Sequence, residues 1–230
     1  MRKTQFEALS LPVTPKGRKT RASILDAARR IVAKRGFVAM RVGDVAKEAG
    51  LSLGAFYRYF ENKDEMFSHL IADIHEELFV ASRATENDLK TDPYAALREA
   101  NYGYLKHYSE NRDIMRALFE AVTVDKHYRA IWWKMRERHV ARFVHTLEAS
   151  HGITEIDGSP VRIGVEAMVS MTEQSAYCWF AQGELNDARI PLDVAAETVS
   201  RAWFRMFFAG EDGADNVDRR YNIGFDGEDT

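Results

Sequence analysis

The sequence contains a single cysteine among its 230 residues, which excludes an internal disulfide bond. Cys178 lies between Tyr177 and Trp179, and this apolar setting predicts a buried, reduced thiol. The N-terminal segment has neither a sustained apolar stretch nor a cleavage-like site, so we expect no signal peptide. Together these features favour a cytoplasmic location.

Long apolar runs are also lacking. The longest stretch without a charged residue covers the ten residues 174–183, whereas a transmembrane helix needs about 18 or more apolar residues. We therefore expect no membrane span.

The motifs of common enzyme classes are missing as well. The chain has no glycine-rich phosphate loop, no nucleophile motif and no Cys and His cluster with zinc spacing. His75 precedes two glutamates, but adjacent helical positions do not converge on one metal ion. His139 and His145 are six positions apart and face opposite sides of a helix. An enzyme is the least favoured class, and we expect no metal and no cofactor.

Charge is divided unevenly along the chain. Residues 1–63 carry a net charge of +9 and residues 64–230 one of −12, which together give −3. A basic region followed by an acidic one is expected when one domain contacts phosphate. The charge pattern therefore indicates a nucleic-acid-binding domain at the N terminus.

The N-terminal region also has a helical pattern. A first helix is indicated by apolar residues that share one helix face, Ile24, Leu25, Ala28, Ile31 and Val32. Gly36 ends this helix, a second is predicted over residues 42–49, and Ser52 is placed to cap a third that runs through Tyr59. Three short helices with a tight turn before the third predict a helix-turn-helix.

Five segments of this region match a known pattern in order and spacing: residues 24–28 (ILDAA), 35–37 (RGF), 44–50 (DVAKEAG), 53–60 (LGAFYRYF) and 62–64 (NKD). They resemble the DNA-binding domain of the TetR family of bacterial transcriptional regulators, and the resemblance covers about residues 18–70. Met40 departs from it, because such proteins often carry a Thr or Ser there that caps the second helix. The resemblance implies an all-α fold, in which the N-terminal helix-turn-helix precedes a larger helical bundle for ligand binding and dimerisation.

Four segments are predicted along the chain. A flexible basic arm (1–17) precedes the helix-turn-helix domain (18–63), the helical ligand-binding and dimerisation domain (64–210) and an acidic tail (211–230) that we expect to be disordered. Two interpretations of the arm remain open: it follows the DNA minor groove or phosphate, or it is a solvated tail.

Helical patterns fill the larger domain. The predicted helices cover residues 63–84, 93–110, 112–123, 126–150, 161–182 and 192–209. The last two have broad apolar faces, and the resemblance implies that they form a four-helix bundle with the same helices of a second chain. Such a homodimer holds two recognition helices about 34 Å apart, which suits a near-palindromic operator in double-stranded DNA.

The third helix and its surroundings are expected to contact DNA. Phe56 and Phe60 are predicted to face the core, and Arg58 is as consistent with a solvated residue as with a DNA contact. The exposed face has no Arg or Asn whose bidentate pairing would fix one base, so positioning roles are expected more than base recognition. The expected contacts are Arg41, Lys47, Ser52, Leu53, Gly54, Ala55, Tyr57, Tyr59 and Lys63.

Large rings and methionines are concentrated in the larger domain, as in apolar ligand pockets and also in ordinary helical cores. The expected pocket residues are Tyr102, His107, Met115, Phe119, Trp132, Met135, His139, Met168, Met171 and Tyr177. The seventh helix is locally basic through Arg129, Lys134, Arg136, Arg138 and Arg142. This cluster is either a solvated helix face or a site for a carboxylate, a phosphate or a coenzyme A thioester.

The sequence thus predicts a homodimeric DNA-binding transcriptional regulator. In this hypothesis it is a repressor that leaves a near-palindromic operator when a small, largely apolar effector binds the C-terminal domain. The resemblance suggests that the effector shifts the fourth helix and with it the recognition helices. The alternatives are a regulator that needs no ligand or is controlled by a partner protein, and activation in place of repression.

Overall fold

A computed structural model of the chain describes residues 14–182 and 190–208. Its α-helices are α1 (Pro15–Ala39), α2 (Val42–Glu48), α3 (Leu53–Phe56), α4 (Lys63–Ala81), α5 (Pro93–Glu110), α6 (Arg112–Val124), α7 (Lys126–His151), α8 (Val161–Ala176) and α9 (Leu192–Phe207). A small antiparallel hairpin joins β1 (Glu155–Ile156) to β2 (Ser159–Pro160). The all-α prediction is confirmed. The predicted acidic tail and residues 1–13 of the predicted arm lie outside the described residues.

Helix α1 begins earlier than its apolar pattern indicates. The Thr14 hydroxyl accepts a hydrogen bond from the Gly17 amide at 3.1 Å, and Pro15 occupies the first turn, where its missing N–H costs nothing. Residues 15–17 of the predicted arm are therefore helical. Gly36 interrupts the helix at the predicted position with φ 71° and ψ 171°, a conformation that glycine adopts far more readily than other residues.

The second and third helices form the predicted helix-turn-helix. Arg41 precedes α2 without a side-chain cap, and Met40 is only 2% exposed, so this position contributes to the core. Ser52 caps α3 by accepting a hydrogen bond from the Ala55 amide at 3.2 Å. Helix α3 is shorter than predicted, because residues 57–59 continue as turns.

The chain divides into two compact units, and the first contains the described residues up to His75 together with 113–131. Its core includes three rings, with centroids 4.2 Å apart for Phe37 and Phe67, 5.3 Å for Phe37 and Tyr128, and 5.6 Å for Phe67 and Tyr128. The Tyr128 hydroxyl donates to Asp64 Oδ1 at 2.9 Å. These contacts join residues 113–131 to the N-terminal helices, so the unit extends beyond the predicted boundary between residues 63 and 64.

The second unit contains residues 76–112 and the described residues from Trp132 onward. Helix α5 packs along α9, where Asn101 donates to the buried Ser200 hydroxyl at 3.1 Å. The Trp203 indole donates to Thr172 Oγ1 at 2.9 Å, which joins α9 to α8. Aromatic and hydroxyl groups from helices that are distant in sequence therefore share one core.

The end of the eighth helix differs from the prediction. Helix α8 ends at Ala176 and continues as a π-helical segment, Tyr177–Ala181. Cys178 is exposed, so the predicted burial of its thiol is wrong. Cys178 lies four positions after the exposed Gln174 and therefore on the same helix face. The adjacent Tyr177 and Trp179 rings, which suggested burial, lie on other faces. Among the described helices, none combines the length and hydropathy that a bilayer span requires.

We expect Gly103→Ala to destabilise the second unit. A Cβ added at Gly103 would lie 1.9 Å from the backbone oxygen of Ala81, so α4 and α5 must separate to accept it. Overpacking of this kind costs about 1–3 kcal/mol, to be measured by urea unfolding. Gly43→Ala is the control, because nothing lies within 4 Å of its added Cβ. Equal stability of the two variants would contradict this packing.

A second prediction concerns Glu99, which holds the loop after α4. Its carboxylate accepts hydrogen bonds from the Thr85 amide (2.6 Å), the Thr85 hydroxyl (2.9 Å) and the Asn87 amide (3.0 Å). Burial raises the pKa of Glu99, but hydrogen bonds from Thr85, Asn87 and Glu86 outweigh it and lower the pKa to about 2.

Because the folded pKa of Glu99 lies below its ordinary 4.5, its stabilisation is complete above that value and is lost as the pH falls toward 2. We expect Glu99→Gln to lower the free energy of unfolding by about 1–2 kcal/mol at pH 7, a figure reduced for solvent screening. Urea unfolding at several pH values should show this difference shrinking between pH 5 and pH 3. A difference independent of pH would contradict the assignment.

Candidate nucleic-acid interface and ligand cavity

The surface of α3 is small and open. Leu53 is 49% exposed and Tyr57 51% exposed, and nothing lies within 4 Å of a Cβ added at Gly54. Phe56 and Phe60 are buried, as predicted, and their packing fixes which face of the turn is exposed. A surface without bulky obstruction can approach a DNA groove closely.

Exposed cations flank this surface. Arg30 pairs with Glu48 at 2.7 Å and Arg35 with Asp44 at 2.9 Å, so these two positive charges are compensated. Three others are exposed and have no ion pair within the described chain: Arg41, Lys47 and Arg58. They supply uncompensated positive charge beside α2 and α3, as contact with phosphate requires.

Lys63 has an internal role. Its Nζ donates to the backbone oxygens of Phe37 at 3.3 Å and Val38 at 3.4 Å, and lies 4.5 Å from the centre of the Phe37 ring. These contacts hold the segment after Gly36 against the start of α4. The sequence could not reveal them, because the partners are some 25 positions away.

The other expected DNA contacts lie around the same turn. Ser52 is exposed as well as capping α3, whereas Ala55 and Tyr59 are half-buried. Contact with DNA at these positions remains a prediction.

The second unit contains a cavity of about 80 Å³ that is partly open to solvent. Its lining consists of Ser82, Leu97, Ala100, Asn101, Tyr104, His139, Arg142, Phe143, Val169, Thr172, Glu173 and Trp203. Most of the wall surface is apolar, although many of the lining residues carry a polar side-chain group. This combination is typical of sites that orient a small molecule.

The ten expected pocket residues are all half-buried. His139 lines the cavity, and Met115 and Phe119 belong to the first unit. The others are not among the residues that line it: Tyr102, His107, Trp132, Met135, Met168, Met171 and Tyr177. Their roles as effector contacts remain untested. Two further lining residues, Trp203 and Glu173, are not among the predicted pocket residues, because neither belongs to a local motif.

An ion pair contributes one polar side of the cavity. Glu173 pairs with Arg136, which also donates to the Glu166 backbone oxygen at 2.8 Å. Burial raises the pKa of Glu173 to about 7, although the Arg136 cation opposes the shift. Burial also raises the pKa of Tyr104 well above its ordinary value, so its hydroxyl remains protonated and can donate a hydrogen bond.

Arg142 contributes the other charge. Its guanidinium donates to the Phe79 backbone oxygen at 2.7 Å, the Ser82 backbone oxygen at 2.9 Å and the Ser82 hydroxyl at 2.8 Å. It therefore satisfies carbonyl groups at the end of α4. Within residues 14–182 and 190–208, no group of His, Cys, Asp and Glu side chains is arranged to hold a metal ion.

The helix-turn-helix matches a known family. Residues 24–70 fit the family model for "Bacterial regulatory proteins, tetR family". The predicted resemblance of this region to the TetR family is confirmed. The helix capping, the buried phenylalanines and the exposed α3 turn described above are thus features of a TetR-type DNA-binding domain.

Curated relatives share this domain. The HTH-type transcriptional regulator TtgR of Pseudomonas putida is 37% identical over 81 residues, which cover 35% of this chain and 39% of TtgR. The matched part of the chain therefore spans about two fifths of the length of this relative. An uncharacterized HTH-type transcriptional regulator of Bacillus subtilis, YdgC, is 26% identical over 204 residues, which cover 86% of this chain and 97% of YdgC.

Solved structures extend the similarity to the fold of the larger domain. A TetR-family transcriptional regulator from Streptomyces coelicolor has a TM-score of 0.65 at 19% identity and covers 89% of this chain and 97% of its own. A TetR-like transcriptional regulator from Rhodococcus sp. RHA1 has a TM-score of 0.61 at 24% identity, with 81% and 94% covered. At such identities the likeness concerns the fold alone.

We expect Lys63→Met to destabilise the TetR-type domain by about 0.5–1.5 kcal/mol, because it removes two hydrogen bonds and a cation–π contact. Lys47→Met is the matched control, since Lys47 is exposed and has no such contacts in the described structure. Urea unfolding of both variants measures the difference. If Lys63→Met is as stable as the control, the internal role is wrong.

Proposed function

We propose that this protein is a DNA-binding transcriptional repressor that acts as a homodimer and leaves its operator when a small molecule occupies the cavity of the second unit. The exposed α3 surface with its flanking cations carries this proposal. It combines apolar and hydroxyl groups that can enter a groove with charges that hold the phosphate backbone. Because its partner is DNA, we place the protein in the cytoplasm.

The proposed contacts fall into two classes. Arg41, Lys47 and Arg58 neutralise phosphates, so their contribution depends on salt and little on sequence. Leu53 and Tyr57 approach the groove, where apolar contact with a thymine methyl and a hydroxyl hydrogen bond provide selectivity. Lys63 acts indirectly, by holding the segment after Gly36 in place.

The exposed faces of the last two helices support the dimer. Exposed residues without charge line the outer side of α8 and the segment that follows it: Ile163, Ala167, Ser170, Gln174 and Cys178. On α9, Val194 is 54% exposed and Thr198 follows one turn later. No described residue of the second unit covers either face, and a second copy of the chain would bury both by two-fold symmetry.

The cavity favours ligand control over the alternative of a regulator that works without a ligand. A packed helical core leaves few spaces larger than a water molecule, and about 80 Å³ exceeds the roughly 10–15 Å³ that one water requires. Control by a partner protein would instead leave DNA binding unchanged by any small molecule.

The test is binding of the full chain to its own upstream DNA across a salt series, measured by fluorescence anisotropy. We expect Tyr57→Ala to weaken binding about tenfold to a hundredfold while the free energy of unfolding stays within about 0.5 kcal/mol, because the side chain is half in solvent. Val124→Ala is the control, since Val124 is 79% exposed and lies outside the proposed surface. Unchanged affinity of Tyr57→Ala would remove α3 from the interface.

A further inference from the structure

The cavity of the second unit has a wall suited to the apolar part of a ligand. Leu97, Val169 and two aromatic rings face it, and the Phe143 and Trp203 rings meet edge to face with centroids 4.7 Å apart. Its volume of about 80 Å³ is below the roughly 300–1,000 Å³ of pockets for drug-sized ligands. The wall and the volume fit a molecule with a short aliphatic chain or a single ring.

The charges that line the cavity do not cancel. Glu173 is paired with Arg136, so any negative charge that it carries is already balanced by that cation. Arg142 donates to neutral oxygens at the end of α4, and no carboxylate among the described residues forms an ion pair with it. One positive charge therefore remains on the cavity wall.

The surroundings of Arg142 increase this excess. Three guanidinium groups approach the buried Phe79 ring, with their central carbons 3.7 Å (Arg138), 4.1 Å (Arg142) and 5.2 Å (Arg83) from its centroid. Of these, Arg138 pairs with Glu76. Burial, together with the neighbouring Arg83 and Arg138, lowers the pKa of Arg142 to about 10, so the side chain is still a cation at neutral pH. An anion would relieve this unfavourable charge, whereas a cationic ligand would add to it.

We propose that the cavity binds a small organic acid, with its carboxylate on Arg142 and its apolar body against Leu97, Phe143 and Trp203. A guanidinium presents donors in a planar fork that matches a carboxylate. This inference rests on the proposed function, in which a small ligand controls DNA binding, and it names the chemical class of that ligand.

The same arginine explains how the acid is sensed. The acceptors that Arg142 now uses are the Phe79 and Ser82 oxygens, at the C-terminal end of α4. A bound carboxylate competes for those donors, so occupancy of the cavity changes the hydrogen bonding of the last turn of α4. Because α4 is one continuous helix from Lys63 to Ala81, its end is covalently continuous with the TetR-type domain.

The test compares acids with neutral molecules of the same shape. The full chain is titrated calorimetrically, without DNA, with the acids butyrate and benzoate, with their amides butyramide and benzamide, and with the cation benzylamine. We expect each acid to bind at least tenfold more tightly than its amide, because the amide lacks the charge-assisted hydrogen bonds. Equal affinities, no binding of any probe, or tighter binding of benzylamine than of benzoate would overturn the proposal.

Two variants test whether Arg142 causes the preference for acids over amides. Arg142→Met should weaken acid binding about tenfold to a hundredfold and leave amide binding nearly unchanged. Arg138→Met is the matched control, because Arg138 lies over the same Phe79 ring but does not line the cavity. This variant should still bind acids more tightly than amides. Loss of the preference in both variants would exclude a specific role for Arg142. If Arg142→Met does not fold, the comparison of acid with amide on the unaltered chain decides the question.

Operator binding in the absence of acid separates this inference from the proposed function. Operator binding that no acid weakens, together with equal affinities for acid and amide, would leave the DNA-binding proposal standing and remove the acid. If the protein prefers acids through Arg142 but binds no DNA, the acid site stands and the DNA-binding proposal is wrong.

Discussion

The third helix depends on its neighbours, because one helical turn is far shorter than a helix that is stable alone in water. Helix α3 spans four residues and is held by the Ser52 cap and by the burial of Phe56 and Phe60. That burial in turn requires the surrounding helices to be in place. The exposed Leu53 and Tyr57 are thus presented by a core and not by the helix that carries them.

That core reaches far along the chain. Phe37, Phe67 and Tyr128 form one aromatic cluster, and Lys63 holds the backbone beside it. Residues 113–131 consequently belong to the same unit as the N-terminal helices. The domain that meets DNA in our proposal is therefore larger than its family motif, and substitutions on α6 or early in α7 can disturb it without any DNA contact.

Local patterns predicted the helices well. The fifth helix, Pro93–Glu110, has the predicted bounds, and Gly36 interrupts α1 where expected, because a first-turn proline and a glycine act through their own backbones. Features that depend on residues distant in the sequence were predicted less accurately. The neighbours of Cys178 in sequence suggested a buried thiol, but its side chain lies on the exposed face that carries Gln174. The contacts of Lys63 with the backbone near Gly36 could not be predicted, because they join residues far apart in the sequence.

The cavity also combines features that local sequence predicts with features that depend on distant contacts. Aromatic content indicated that the larger domain has large buried rings, but which of them surround a space depends on how helices α4, α5, α7, α8 and α9 pack. His139 was anticipated, whereas Trp203 and Glu173 as lining residues were not. The basic pattern of the seventh helix leaves two interpretations open. In the structure Arg138 pairs with Glu76 and Arg136 with Glu173, whereas Arg142 faces the cavity.

In our proposal two copies of the α3 surface bind one operator. Hydroxyl-radical footprinting of the full chain on its own upstream DNA tests this most directly. We expect two protected half-sites on a near-palindrome, with centres about one helical turn or a multiple of it apart. Protection of a single half-site, or uniform weak protection without a preferred position, would contradict it.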